Sequence, residues 1–205
     1  MKFYKMLLAV VLIFPLWSIS CKTLEKQPQP SDAVSGATPH YAGGDRGALP
    51  PTAGEYTVLG VREGIKAWVI QYDEKLLRGG EFFDDSAAKA LAEWGVKTVI
   101  SISPNNKERA FCRKHSLELV EIPFDKKNGP SKADIQKFLN TIKQGKAPFY
   151  LHCIGGTHRA GVLGVAYRIH RLGWAPEKAL VEFGRLGGNL KDDHTMLESV
   201  LQFKP

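Results

Sequence analysis

The stretch from Pro148 to Gly161, PFYLHCIGGTHRAG, constrains the fold more than any other part of the chain. Phe149, Tyr150 and Leu151 read as a strand with apolar residues toward both faces, and a strand of that kind needs cover on both sides. The segment AGVLGVAYRIHRLG, helical in character, follows after only a short polar loop. A strand that turns directly into a helix belongs to an α/β arrangement, in which the helix packs back over a largely parallel sheet. The loop between them sits at a helix N-terminus, where successive backbone N–H groups point inward and make a cradle for an anion. Gly155 and Gly156 are expected to let the backbone curl and approach the anion closely.

The rest of the chain agrees with this arrangement. YTVLGV, AWVIQY and KLLRGG read as short strands, VKTVISI as a buried one and LELVEI as a further strand. Asp84 to Ser86 offer an N-cap for a helix through Trp94 that Gly95 stops. A second helix is expected from Asn105 to His115. Ser131 and Asp134 make a capping box for a third, which carries Ile135, Phe138, Leu139 and Ile142 at helical spacing. Pro176 opens a helix over PEKALVEFGRL, and Asp192 and Asp193 open the last one. The expected fold is α/β, with a mostly parallel central sheet flanked by helices, over residues 56–205. At 43% hydrophobic residues the chain holds enough apolar material for a core of that size.

The N-terminus has a different texture. Lys2 and Lys5 precede an apolar run from Met6 to Trp17, too short to cross a bilayer, and residues 1–20 follow the plan of a secretory signal. Cys21 lies directly after it, as in a bacterial lipobox. Ile19 and Ser20 suit the positions before a lipidated Cys, whereas Ser18 stands where Leu is usual. Lipidation of Cys21, with the outer membrane as default destination, is the expectation; ordinary cleavage and a retained anchor are the alternatives. Residues 21–55, rich in Pro, Gly, Ser and Ala, read as a flexible linker. The formal charge of +7 favours anionic partners. No Lys/Arg block resembles a nucleic-acid arm, so nucleic acid is not among the expected partners.

Within the loop, the amides, the helix dipole and Arg159 all favour the thiolate of Cys153. Arg159 presents a planar fork that matches two phosphate oxygens. HCIGGTHRAG resembles the H-C-x5-R signature of the protein-tyrosine and dual-specificity phosphatase superfamily. LRGGEFFDDSAAKALAEWGVKTVISIS, LELVEIPFD and GVAYRIHRLGWAPEKALVEF resemble flanking segments of its small bacterial members, over roughly residues 75–190. The resemblance implies Cys153 as nucleophile and Ile154, Gly155, Gly156, Thr157, His158 and Arg159 as the phosphate-binding loop. It implies an upstream Asp as general acid, for which Asp125 in IPFDKKNGPSK, 28 residues before Cys153, is the candidate. His152 is expected to brace the loop. His158 is expected to face outward and shape substrate choice, and Lys126 and Lys127 to add positive potential at the mouth.

The implied activity is phosphomonoester hydrolysis through a phosphocysteine, on a phosphorylated protein or an inositol phosphate. It needs no cofactor and no metal, and the chain is expected to act as a monomer. One position departs from the family pattern: Ala160 stands where Ser or Thr usually follows the Arg and helps the sulfur leave. Slowed turnover, or a phosphate-binding pseudophosphatase, follows from it. A sulfurtransferase, which also sets a Cys in an anion-binding loop, is the third alternative. Cys112 is read as a packed core residue, with a protective disulfide to Cys153 as the alternative. The DDHT segment suggests a helix start before it suggests a metal site.

Overall fold

A computed structural model of the chain describes residues 55–205. The signal segment 1–20, Cys21 and the linker as far as residue 54 lie outside the described residues. Strands β1 (Thr57–Val61), β2 (Trp68–Gln71), β3 (Leu76–Gly80), β4 (Thr98–Ser101), β5 (Glu118–Glu121) and β6 (Phe149–Cys153) form one sheet in the order β1-β2-β3-β6-β4-β5. The β3, β6, β4 and β5 strands run parallel, and β1 and β2 extend the β3 edge as an antiparallel ribbon. The expected mostly parallel α/β sheet is what forms.

The period of two along β6 divides its side chains between two cores. Phe149, Leu151 and Cys153 enter one, beneath helices α3 (Lys132–Gln144), α4 (Arg159–Ala166), α5 (Pro176–Arg185) and α6 (His194–Leu201). Tyr150 enters the other, with Val99, Leu77 and the apolar side chains of α1 (Asp85–Glu93) and α2 (Asn106–Lys114). Both faces of β4 and β6 are therefore covered, which is why these two strands read as apolar runs, whereas the edge strand β5 stays partly exposed.

The helix ends carry their expected caps. Asp84 accepts from the Ala87 amide and Asn105 from the Glu108 amide. Ser131 and Asp134 form the reciprocal capping box, a device worth about 1 kcal/mol. Two segments differ from the sequence reading. The helix expected to run to Gly173 stays α-helical only to Ala166 and widens into a π-helical turn at Tyr167–Arg171. This turn directs the Tyr167 hydroxyl to Asp73 and buried Arg168 to both oxygens of Glu182. At α6, Asp193 occupies the N-cap but its side chain makes no capping bond. Its carboxylate is used at the site described next.

Candidate active site

The parallel strands end at a common edge, where α/β folds place their ligands. Cys153 is the last residue of β6 and is buried. It pairs in register with Gly80 of β3. The Tyr150 hydroxyl donates to the Gly80 carbonyl at 2.7 Å, and the Glu81 amide donates to the Ile154 carbonyl at 3.2 Å. These bonds fix the start of the loop to the exit of β3. Gly156 has φ +73°, and a Cβ there would lie 2.4 Å from the carbonyl carbon and oxygen of Gly79. Only glycine fits this point, because both the backbone angle and the neighbouring backbone forbid a side chain. Gly155 is different: it has no positive φ and faces open space, so the expectation that both glycines are needed for the curl holds for Gly156 alone.

Arg159 opens α4, and its Nη1 donates to the carbonyl of Phe124 at 3.3 Å. That contact brings the residue before Asp125 to the guanidinium on which the loop closes. Asp125 itself is exposed and accepts from the Asn128 amide and from Asn128 Nδ2, each at 2.8 Å. The Asn128 amide first, and then its side chain, hold the Asp125 carboxyl below the usual carboxylate range.

The two histidines have partners other than those expected. His152 lies 2.6 Å through Nε2 from Oε1 of Glu108, whose other oxygen accepts from Ser101 Oγ at 2.9 Å. All three are buried, and the His152 ring stacks on Tyr150. His152 thus ties the end of β6 to α2, rather than bracing the loop directly. His158 is exposed, as expected, and its Nδ1 also lies 2.6 Å from Oδ2 of the fully buried Asp193 carboxylate. The same oxygen accepts from the Asn189 amide at 3.0 Å, and Oδ1 lies 3.0 Å from Lys126 Nζ. Burial pulls the Asp193 carboxyl upward, but His158, the Asn189 amide and Lys126 together outweigh it and leave the group below its ordinary value. Lys126, expected to add positive potential at the mouth, is paired with this carboxylate.

Cys112 is a packed core residue, as expected, and burial pushes its thiol up to about 12. It belongs to the core on the α1 and α2 face, whereas Cys153 belongs to the core on the other face. Both thiols are free, and the sheet stands between their two cores, which removes the protective disulfide from the fold as built. Among the described residues, no group of three or more His, Cys, Asp or Glu side chains is placed to hold a metal ion.

A cysteine at the end of a central parallel strand, with an arginine six residues on at the start of the next helix, defines the cysteine-dependent phosphatases of the dual-specificity kind. Residues 63–193 match the family described as DSP-PTPase phosphatase fused to NAD+ kinase, and the chain belongs to this family. Among curated proteins, none matches the chain. Solved structures share the fold. TpbA of P. aeruginosa in complex with pTyr is 20% identical, with a TM-score of 0.61 over 75% of this chain and 93% of its own. PTPMT1 in complex with PI(5)P is 18% identical, with a TM-score of 0.51 over 63% and 92%. Tk-PTP in its active form is 20% identical, with a TM-score of 0.52 over 64% and 95%.

Sequence reasoning missed Glu108 and Asp193. Glu108 follows a helix cap and looks like an ordinary first-turn acid. Asp193 sits at a helix start, where Asp is common for a local reason. Neither carries a sequence signal for its partner, because the partners lie 44 and 35 residues away.

Proposed function

We propose that the chain hydrolyses phosphomonoesters with Cys153 as nucleophile, Arg159 and the loop amides as phosphate ligands, and Asp125 as the acid and base. The observation that supports this most is the Gly156 turn pressed against β3, which curls the loop between Cys153 and Arg159. In the first step the Cys153 thiolate attacks phosphorus and the ester P–O bond breaks. The leaving oxygen takes the proton of Asp125. In the second step water gives a proton to the Asp125 carboxylate and attacks phosphorus. The P–S bond breaks, which restores the thiolate and releases inorganic phosphate. The loop amides and Arg159 offset the charge spread over the transferring group.

The proposed substrates are phosphotyrosine-type proteins or inositol phosphates. The ligands bound to TpbA and to PTPMT1 support these two classes. Phosphate release by the full chain from a phosphotyrosine peptide and from inositol hexakisphosphate, side by side, separates them. No release from either, with phosphate binding retained, overturns the hydrolase reading. Lys2, Lys5, the apolar run and Cys21 support export with a lipid anchor at the outer membrane, with the catalytic domain acting as a monomer beyond the linker.

A phosphate-binding pseudophosphatase is the second reading. Ala160 favours it, since this residue is fully buried in the first turn of α4 and has no hydroxyl to help the sulfur leave. Ala160→Thr is the family-like change, but it adds two heavy atoms to a closed position, so Ala160→Ser is the milder form of the test. We expect Ala160→Ser to raise kcat several-fold, with breakdown of the phosphocysteine becoming faster in single-turnover kinetics. An unchanged or lower rate of breakdown removes Ala160 as the cause of slow turnover.

The Asn128 bonds give a pH prediction. Asp125 must carry a proton in the first step, and its lowered pKa puts the falling limb of the kcat/KM profile on the acid side of the ordinary Asp range. Asn128→Ala removes the side-chain bond and leaves the amide, so the falling limb is expected to move part of the way toward higher pH. A limb that stays in place, or moves to lower pH, takes the acid role away from Asp125.

A further inference from the structure

We propose that Lys126 and Asp193 form a latch that positions the acid loop over the phosphate loop, a role that rests on Asp125 being the acid. Asp125 is bracketed by two contacts. On one side Arg159 Nη1 holds the Phe124 carbonyl at 3.3 Å, and on the other Lys126 Nζ lies 3.0 Å from Asp193 Oδ1. The first contact uses the guanidinium that must turn its fork to the phosphate when substrate enters. At that moment the Lys126 contact still holds the loop from its other side.

Asp193 suits this task. Its carboxylate is fully buried, and a buried carboxylate is stable only when its oxygens are answered by charge or hydrogen bonds. His158 and the Asn189 amide answer Oδ2. Oδ1 accepts no well-aligned hydrogen bond among the described residues, and the Lys126 ammonium is the group that answers it. The carboxylate is fixed on its other side to His158, the residue next to Arg159, so the acid loop is registered against the phosphate loop and not merely against the protein surface. Lys126 is the breakable partner, with 48% of its side chain exposed. Asp193 is also an N-cap residue whose side chain leaves its own helix uncapped, which accords with a carboxylate committed to the latch. Lys126 and Asp193 are positioning residues: neither is assigned a contact with the substrate.

The test uses the dependence of rate on the leaving group, which a general loss of fold does not alter. Lys126→Met in the full chain is compared with the unmodified protein on phenyl phosphate, whose leaving oxygen needs a proton, and on p-nitrophenyl phosphate, whose leaving group departs without one. Asp125→Asn serves as the reference. The expected loss of kcat/KM, which reports the step that expels the leaving group, with Lys126→Met is about tenfold greater on phenyl phosphate than on p-nitrophenyl phosphate, a fraction of what loss of a general acid brings. Lys126→Arg restores most of the difference. Equal losses on the two substrates for Lys126→Met, while Asp125→Asn discriminates between them, overturn the latch alone. If Asp125→Asn fails to discriminate, the acid assignment falls and the latch falls with it.

Discussion

Replacing Cys153 with Ser is expected to lower phosphate release about 10,000-fold or more, because removal of a nucleophile that acts with its partners as one unit eliminates nearly all of the chemical step. The change is close to isosteric and falls at a buried position at the end of β6, so the fold should tolerate it. A serine hydroxyl is a far weaker acid than a thiol and, with its proton on, a poor nucleophile toward phosphorus. The loop amides and Arg159 are untouched, so affinity for inorganic phosphate should stay within a few-fold of the unmodified protein. Phosphate release and calorimetric binding are the two readouts. Residual turnover within tenfold of the unmodified protein would place the nucleophile elsewhere. Loss of binding together with a lowered Tm would mean that Cys153 acts through packing.

Gly156→Ala is expected to destabilise the protein by about 3 kcal/mol, from a left-handed backbone angle that costs about 1–2 kcal/mol and overpacking that costs a similar amount. The angle is φ +73°, and the added Cβ would lie 2.4 Å from the Gly79 carbonyl carbon and oxygen and 2.6 Å from the Gly80 nitrogen. These are backbone atoms of β3, held in a parallel ladder to β6, and they cannot move aside as a flexible side chain would. The phosphate loop must therefore open, and a displacement on the order of 1 Å in such a site costs roughly a hundredfold in rate. Gly155→Ala provides the contrast, since Gly155 has neither the angle nor a near neighbour, and its stability cost is expected to stay within about 0.5 kcal/mol. Denaturant melts of both variants check the ranking. Equal costs at the two positions would mean that Gly156 is not wedged against β3.

The latch at Asp193 and the turn at Gly156 share a property that separates them from Cys153 and Arg159. The cysteine and arginine lie six residues apart in one loop, so their relation is written in the local order of a strand, two glycines and a helix. Asp125 was legible only through resemblance to a family, because nothing between Phe124 and Asn128 marks that loop as opposite the phosphate loop. The Asn128 bonds that hold its carboxyl low are local, yet the Arg159 contact that brings its loop to the site spans 35 residues.

What the sequence alone determined was the order of strands and helices, their caps, the two-faced apolar runs of a mostly parallel sheet, and the Cys153 to Arg159 loop. Each follows from interactions within about one turn or one strand, namely capping bonds, periodic burial and glycine freedom. The tertiary structure alone decided which glycine is indispensable, which core each thiol enters, and which carboxylates hold His152, His158 and Lys126. Those outcomes depend on backbone and charge brought together from distant parts of the chain, and a buried carboxylate such as Asp193 becomes informative only once burial makes a charged partner obligatory.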